Sequence, residues 1–158
     1  MTEENELNLS EVNWAEKGLQ KILVPVDGSG PSKRAVAKAA YLAGLSGAKL
    51  TLVNVVDLNK QISTFEQVST GGYVPSELKE EGYQLLAELM HEVPPTVKAK
   101  ALVEIGAPGE TVVEMCEEQK FDLIVIGSRG QDAIQRLVMG SVSEYVMHHS
   151  TCPMLVVK

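Results

Sequence analysis

Short apolar runs alternate along this chain with longer segments that have helical patterns. The longer segments are predicted helices at 32–43, 75–92, 108–118 and 141–148. The apolar runs are short enough to be buried strands, and they cover 21–26, 50–56, 97–104, 121–126 and 153–158. Because strands and helices alternate strictly, the pattern predicts an α/β fold with an open, doubly wound five-stranded parallel sheet in a single domain.

Proline and glycine mark the ends of the first predicted helix. Pro31 fits its first turn, where a missing N–H costs nothing, and Gly44 or Gly47 can close it. The stretch 58–74 has no clear periodicity and contains Gly71-Gly72, so we predict a long loop there. Loops of this length often carry function, which makes 58–74 a candidate element for reporting a bound ligand.

Composition indicates one soluble domain. The 158 residues are 44% hydrophobic, enough to bury a sizeable core, and no apolar stretch approaches the roughly 18 residues of a membrane span. The polar N-terminus does not resemble a secretion signal. We therefore expect a cytoplasmic protein that does not insert into a membrane.

The net charge of −7 is concentrated at the start of the chain. Residues 1–18 hold five acids and one lysine, and we interpret them as an acidic N-terminal extension before a domain at 19–158. The extension also has apolar residues, so docking on the domain or on a partner is open. The chain has no basic stripe to neutralise phosphates, which argues against nucleic-acid binding.

The two cysteines, Cys116 and Cys152, are far apart in sequence and lack the spacing of a metal or redox pair. Cys116 lies in a predicted helix among apolar residues, where a small buried side chain is its expected role. Cys152 precedes the last predicted strand. A reactive thiol at either position is the alternative.

A glycine pattern follows the fourth apolar run directly. It reads Gly-x2-Gly-x9-Gly-Ser and begins at Gly127, with Gly130, Gly140 and Ser141 at its other fixed positions. Glycines tolerate positive φ and let backbone N–H groups approach an anion. Each glycine alone is explained by an ordinary turn, but the full spacing behind a buried strand favours a phosphate-binding cradle at the carboxyl end of the sheet.

A helix start is predicted at the end of this pattern. Ser141 is followed three residues later by Glu144, which is the capping-box arrangement and predicts a helix beginning at Ser141. A helix N-terminus offers free N–H donors and the positive end of the helix dipole. Both would favour a bound phosphate.

The first two strands end in residues that each have a ligand-binding and a local structural interpretation. Asp27 follows the first strand, where its carboxylate could accept a hydrogen bond from a ribose hydroxyl, hold a metal beside phosphates, or cap a local turn. Val55 lies near the end of the second strand and is either a core residue or a platform for a flat base. The sequence leaves both choices open.

Together these motifs resemble the universal stress protein family. Residues 24–29, Val-Pro-Val-Asp-Gly-Ser, are similar to its first-strand signature, 52–57 to its second strand, and 127–141 to its nucleotide-binding motif. The resemblance spans about 20–158. It implies a Rossmann-like fold of the adenine-nucleotide alpha-hydrolase type with strand order 3-2-1-4-5. It also implies a homodimer through the last strand, 153–158, whose apolar run would suit an exposed sheet edge.

The resemblance further implies bound ATP, with Mg²⁺ or Mn²⁺ at the phosphates and Asp27 as the candidate metal ligand. The positions that match adenine and ribose contacts are Pro25, Val26, Asp27 and Val55. The positions that match ribose and phosphate contacts are Ile126, Gly127, Arg129, Gly130, Gly140, Ser141, Val142 and Ser143.

Catalytic motifs do not accompany these positions. The sequence has no Gly-x4-Gly-Lys-Ser/Thr segment, and the dinucleotide fingerprint fails because Lys33 stands where its third glycine would be. His91, His148 and His149 have no evident catalytic partners. We expect a regulatory stress-response protein that holds ATP, with a slow ATPase and a sensor of AMP or cyclic AMP as the open alternatives.

Overall fold

A computed structural model of the protein describes residues 18–61, 76–129 and 139–158, and it contains one parallel sheet of five strands in the order β3-β2-β1-β4-β5. The strands are β1 (Lys21–Pro25), β2 (Lys49–Val56), β3 (Ala99–Ile105), β4 (Leu123–Gly127) and β5 (Met154–Val157). The order confirms the predicted topology, and it places β1 at the centre and β5 at an edge of the sheet.

The helices connect the strands and cover both faces of the sheet. They are α1 (Gly30–Ser46), α2 (Leu58–Gln61), α3 (Ser76–Glu92), α4 (Pro108–Gln119) and α5 (Ser141–His149). The four longer helices confirm the predicted alternation. None of the helices in the described ranges is both long and apolar enough to cross a membrane.

Two apolar clusters form the core, one on each face of the sheet. Ile22 and Val24 of β1 belong to the cluster under α1 and α3, whereas Leu23 belongs to the cluster under α4 and α5. All three side chains are fully buried. Successive strand residues face opposite sides, so a central strand covered on both faces must be continuously apolar.

The ends of α1 follow from three residues. Ser29 is its N-cap, and the Ser29 hydroxyl accepts a hydrogen bond from the Ser32 backbone N–H at 3.3 Å. Pro31 lies in the first turn, as predicted. Gly47 ends the helix in the left-handed conformation, with φ of 75°, and donates its N–H to the Ala43 carbonyl at 2.9 Å. Gly47 therefore closes α1.

The predicted loop at 58–74 is wrong at its start, because α2 occupies Leu58–Gln61. The Asp57 carboxylate accepts a hydrogen bond from the Asn59 N–H at 3.1 Å, and the Asp57 carbonyl accepts one from Lys60 at 3.1 Å. An aspartate cap thus starts one helical turn that is too short to produce a periodic pattern. The remainder of that prediction, 62–74, lies outside the described residues.

Candidate functional site

The carboxyl ends of β1 and β4 form the centre of the candidate site. The strand β1 lies between β2 on one side and β4 on the other, so the connections from these strands diverge at this point. In open α/β sheets the crevice at such a switch point is where ligands bind. The helix α1 begins beside it soon after β1, and α5 begins beside it where the chain returns to the end of β4 through the Gly140–Ser128 hydrogen bond.

On the β1 side, Asp27 supports a tight turn. Its carboxylate accepts a hydrogen bond from the Ser29 N–H at 2.9 Å, across Gly28, which has a φ of 83°. The local capping role that the sequence left open is therefore present. Asp27 is also an exposed residue at the carboxyl end of β1.

Ser29 links the two sides of the crevice. Its hydroxyl donates to the Arg129 carbonyl at 3.3 Å, while it accepts from Ser32 N–H at 3.3 Å. The buried Ser32 hydroxyl in turn donates to the Ser29 carbonyl at 3.0 Å. Sequence analysis missed both serines, although a serine two residues before Pro31 is a recognisable N-cap signal.

On the β4 side, the Ser128 carbonyl joins the two ends of the glycine pattern. It accepts hydrogen bonds from Gly140 N–H, at 2.6 Å, and from the Ser143 hydroxyl, at 3.2 Å. The Ser128 N–H donates to the Val157 carbonyl of β5 at 2.8 Å. The chain therefore leaves β4 and returns to α5 through one hydrogen-bonded junction, which fixes α5 against the end of β4.

The start of α5 corrects the capping-box prediction. The N-cap is Gly140, in an extended conformation, and no side chain caps the helix; Ser141 is its first residue and is exposed. The buried Ser143 hydroxyl also points inward, donating to the Gly140 carbonyl at 2.9 Å. The Ser143 side chain is thus engaged in the core, and this residue has only its backbone to offer a ligand.

The first turn of α5 presents backbone donors. The Glu144 N–H donates to the Gly140 carbonyl at 2.9 Å and makes the first hydrogen bond within the helix. The N–H groups of Ser141, Val142 and Ser143 therefore have no partner within the helix, as at any helix N-terminus. Such groups, together with the helix dipole, favour a bound anion.

Gly127 has a different role from the predicted one. It lies in β4 rather than in a turn, and it is not among the described glycines with positive φ. A Cβ at this position would lie 2.8 Å from both the Pro31 carbonyl carbon and the Ser32 nitrogen. Glycine is required here because the start of α1 packs directly on the β4 backbone. Gly130, the next glycine of the pattern, lies outside the described residues.

The predicted base and ribose positions surround the ends of β1, β2 and β4. The side chains of Val26 and Ile126 are buried in opposite core clusters, so only their backbones can face a ligand. Val26 is held in place by β2, since its carbonyl accepts from the Asn54 side-chain amide at 2.9 Å. Pro25 and Val55 are half-buried, and Val55 packs against the α4 and α5 cluster.

A metal at this site would depend on phosphates. Within the described ranges, no three His, Cys, Asp or Glu side chains come together in a group that could hold a metal ion. Mg²⁺ is commonly bound by one or two carboxylates together with substrate phosphates. The exposed Asp27 carboxylate fits that pattern, and any Mg²⁺ or Mn²⁺ would be shared with a bound nucleotide.

The structure brings together two thiols that the sequence separates. The Cys152 thiol contacts the Phe121 carbonyl at 3.3 Å, and the buried Cys116 thiol lies 4.0 Å from the same oxygen. Burial, followed by the Cys116 thiol and the Asp122 carboxylate, raises the pKa of Cys152 to about 12. Both thiols lie near the amino end of β4, beside a cavity of about 550 Å³ and away from the crevice.

Comparison with protein families and curated proteins gives consistent matches. The model of the universal stress protein family matches residues 18–158. Universal stress protein MJ0531 of Methanocaldococcus jannaschii is 34% identical over 143 residues, which cover 88% of this chain and 82% of that protein.

Solved structures share the same architecture. The structure of hypothetical protein MJ0577 has a TM-score of 0.75 and 29% identity, covering 89% of this chain and 96% of the other. A universal stress protein solved in complex with cAMP has a TM-score of 0.66 and 28% identity, covering 90% of this chain and 98% of the other.

Proposed function

The chain belongs to the universal stress protein family, and from that premise we propose that it binds ATP in the crevice between β1 and β4. In this proposal the nucleotide acts as a regulatory ligand of a cytoplasmic stress-response protein. The observation that carries the proposal is the first turn of α5. The Ser128 carbonyl holds Gly140 and Ser143, and this anchoring presents the helix N-terminus at the crevice.

The phosphates would lie on this helix N-terminus. The backbone N–H groups of Ser141, Val142 and Ser143 would donate to them, and the helix dipole would add a favourable potential. Arg129 lies at the edge of the same segment, and its carbonyl is already tied to Ser29. In this proposal Gly130 also contacts the ribose or the phosphates, because it matches one of the family's positions for those contacts.

The nucleoside would lie on the other side of the crevice. There Asp27 supplies an exposed carboxylate for a ribose hydroxyl or for a metal shared with the phosphates. The half-buried Val55 offers an apolar surface to the adenine ring, and the backbones of Pro25, Val26 and Ile126 border it. When bound, Mg²⁺ or Mn²⁺ would neutralise phosphate charge.

This arrangement favours holding ATP over hydrolysing it. Asp27 is the one proposed contact with a titratable carboxyl group, and it already accepts a hydrogen bond from Ser29 N–H at 2.9 Å. General-base catalysis requires a group within hydrogen-bond reach of the attacking water and with a suitable pKa. A slow ATPase is the enzymatic alternative, and phosphate release from Mg²⁺-ATP distinguishes the two.

A second candidate ligand is cyclic AMP. The structural relative solved with cAMP, at 28% identity, favours an adenine nucleotide with a single phosphate. The α5 N-terminus would bind one phosphate by the same donors that would bind three. ATP would place more negative charge at the α5 N-terminus than cyclic AMP, which has a single phosphate.

The test is to identify and then compare the nucleotides. The freshly purified protein is denatured, any released nucleotide is identified, and ATP, AMP and cyclic AMP are titrated calorimetrically into nucleotide-free protein with and without Mg²⁺. We expect ATP to bind most tightly and Mg²⁺ to strengthen its binding. Tighter binding of cyclic AMP would replace ATP with the second candidate, and a protein that binds no adenine nucleotide would refute both.

We also propose a homodimer through β5 and the flanking residues, 153–158. The strand β5 is at the sheet edge, and Val156 is 38% exposed on it. Unpaired edge strands favour pairing with another chain. We expect sedimentation to report a dimer for the wild type, a monomer for Val156→Lys, and a dimer for Tyr83→Lys, which changes an exposed residue on α3. A wild-type monomer at micromolar concentration would refute this assembly.

A further inference from the structure

The outer face of α1 carries cations and uncovered apolar side chains. We define this face by Arg34, Lys38, Tyr41 and Leu45, whose spacing places them in one stripe along the helix. Tyr41 is 63% exposed and Leu45 is 69% exposed. Two large apolar side chains one turn apart are a surface that a complementary segment can cover.

The charge of α1 sets it apart from its neighbours. It contains Lys33, Arg34 and Lys38 and no acidic residue. By contrast, α3 has five glutamates against one lysine, and α4 has four glutamates with no lysine or arginine. An acidic segment is therefore attracted to α1 and repelled by α3 and α4.

Residues 1–17 have the complementary composition. They hold five glutamates and one lysine, together with apolar residues that include Trp14. Four of the five glutamates, at 3, 4, 6 and 11, precede Trp14, and the fifth, Glu16, follows it. Along α1 the cations likewise come first and the exposed apolar residues last. Laid parallel to α1, this segment would match acids to cations and Trp14 to Tyr41 and Leu45.

The point at which these residues join the domain is suited to this contact. The Gln20 carbonyl accepts a hydrogen bond from Lys49 N–H at 2.8 Å, and Lys49 follows Leu45 by four residues. Leu19 packs against the same apolar cluster as the buried side of α1. The chain therefore enters β1 beside the carboxyl end of α1, where Leu45 lies.

The length of the segment is also sufficient. At the helical rise, Arg34 and Leu45 are separated by about 17 Å along α1, and 17 residues span about 26 Å as a helix. The same residues would reach about 56 Å if fully extended. We propose that residues 1–17 dock intramolecularly on the outer face of α1, with Trp14 against Tyr41 and Leu45 and with the acids near Arg34 and Lys38.

Trp14 is the only tryptophan of the chain, so its fluorescence reports directly on this contact. We expect wild-type Trp14 to emit at a shorter wavelength than free indole in water and to be protected from acrylamide. The variant Tyr41→Ser/Leu45→Ser should shift the emission to longer wavelength and increase the quenching constant severalfold. Lys38→Glu should do the same in part, and added salt should weaken the contact in the wild type.

The control is Tyr83→Ser, which removes an exposed aromatic ring from the acidic helix α3. It should leave the emission and the quenching unchanged, while circular dichroism verifies that all variants are folded. Docking on α1 is refuted if wild-type Trp14 is exposed to water, or if it is protected equally in Tyr41→Ser/Leu45→Ser. Loss of protection on dilution of the wild type would refute intramolecular docking, because it would assign the contact to a second copy of the chain.

Discussion

The variant Ser141→Asp tests the proposed phosphate site most directly. Ser141 is the exposed first residue of α5, so an aspartate there adds a negative charge beside the backbone donors without altering the core. An acid in the first turn of a helix is itself stabilising by about 0.3–1 kcal/mol, so the fold should persist. Any loss of nucleotide affinity would then arise from repulsion between the carboxylate and the phosphates.

The magnitude follows from the separation of the charges. Two like charges about 4 Å apart repel by about 1 kcal/mol in water and about 4 kcal/mol at an effective dielectric constant of 20. Since about 1.4 kcal/mol corresponds to a tenfold change in affinity, a repulsion of about 1 kcal/mol or more should weaken ATP binding at least about fivefold. AMP has less phosphate charge and should lose less, whereas adenosine should lose almost nothing.

Calorimetric titration of the three ligands measures this gradation. The matched control is Ser76→Asp, which places the same charge on the exposed first residue of α3, beside β2 and β3. It should leave all three affinities near their wild-type values. Equal losses for ATP and adenosine would indicate a structural defect, and an unchanged ATP affinity in Ser141→Asp would place the phosphates elsewhere.

Three further predictions concern stability and thiol chemistry. Gly127→Ala should destabilise the protein by about 1–3 kcal/mol in urea unfolding, because its Cβ would lie 2.8 Å from the α1 backbone. The control is Gly44→Ala inside α1, whose Cβ would lie 4.0 Å from the nearest Val97 methyl group, and it should be neutral or stabilising. Equal effects of the two substitutions would contradict the packing role of Gly127. Ser143→Ala should cost about 0.5–1.5 kcal/mol in the same assay through lost hydrogen bonds, and an unchanged midpoint would show that they contribute nothing. Cys152, with its pKa raised from 9.0 to about 12, should alkylate slowly near neutrality in the wild-type protein and about tenfold faster per pH unit up to that value, as measured by peptide mapping that separates it from Cys116. Its contribution to stability is complete below pH 9 and is lost as pH rises towards 12. Rapid labelling of Cys152 in the folded protein at neutral pH would contradict the raised pKa.

The parallel sheet could be predicted from the sequence because it depends on coarse features of the hydrophobic pattern. Continuous apolar runs such as 22–24 are typical of a strand covered on both faces, and the structure buries all three residues. The first helix could also be predicted, since Pro31 fits its first turn and Gly44 or Gly47 could close it, and the structure ends it at Gly47. The strand order came from the family resemblance, which periodicity alone could not supply.

The details of the site depended on three-dimensional packing. The Ser141 capping box failed because the extended Gly140 backbone starts α5, and the hydroxyl that stabilises this turn belongs to the buried Ser143. The role of Gly127 is likewise set by the approach of α1, which is distant in sequence. The two free thiols of Cys116 and Cys152 come close because both contact the Phe121 carbonyl. Their spacing in the sequence does not indicate this proximity.

The Ser128 junction has a consequence for the design of variants. Its carbonyl bonds to Gly140 N–H and to the Ser143 hydroxyl, so the anchorage of α5 does not depend on how many residues lie between the two ends. We therefore expect the sheet and α5 to tolerate a peptide tag inserted between 131 and 138, which leaves Gly130 and the other proposed phosphate contacts unchanged.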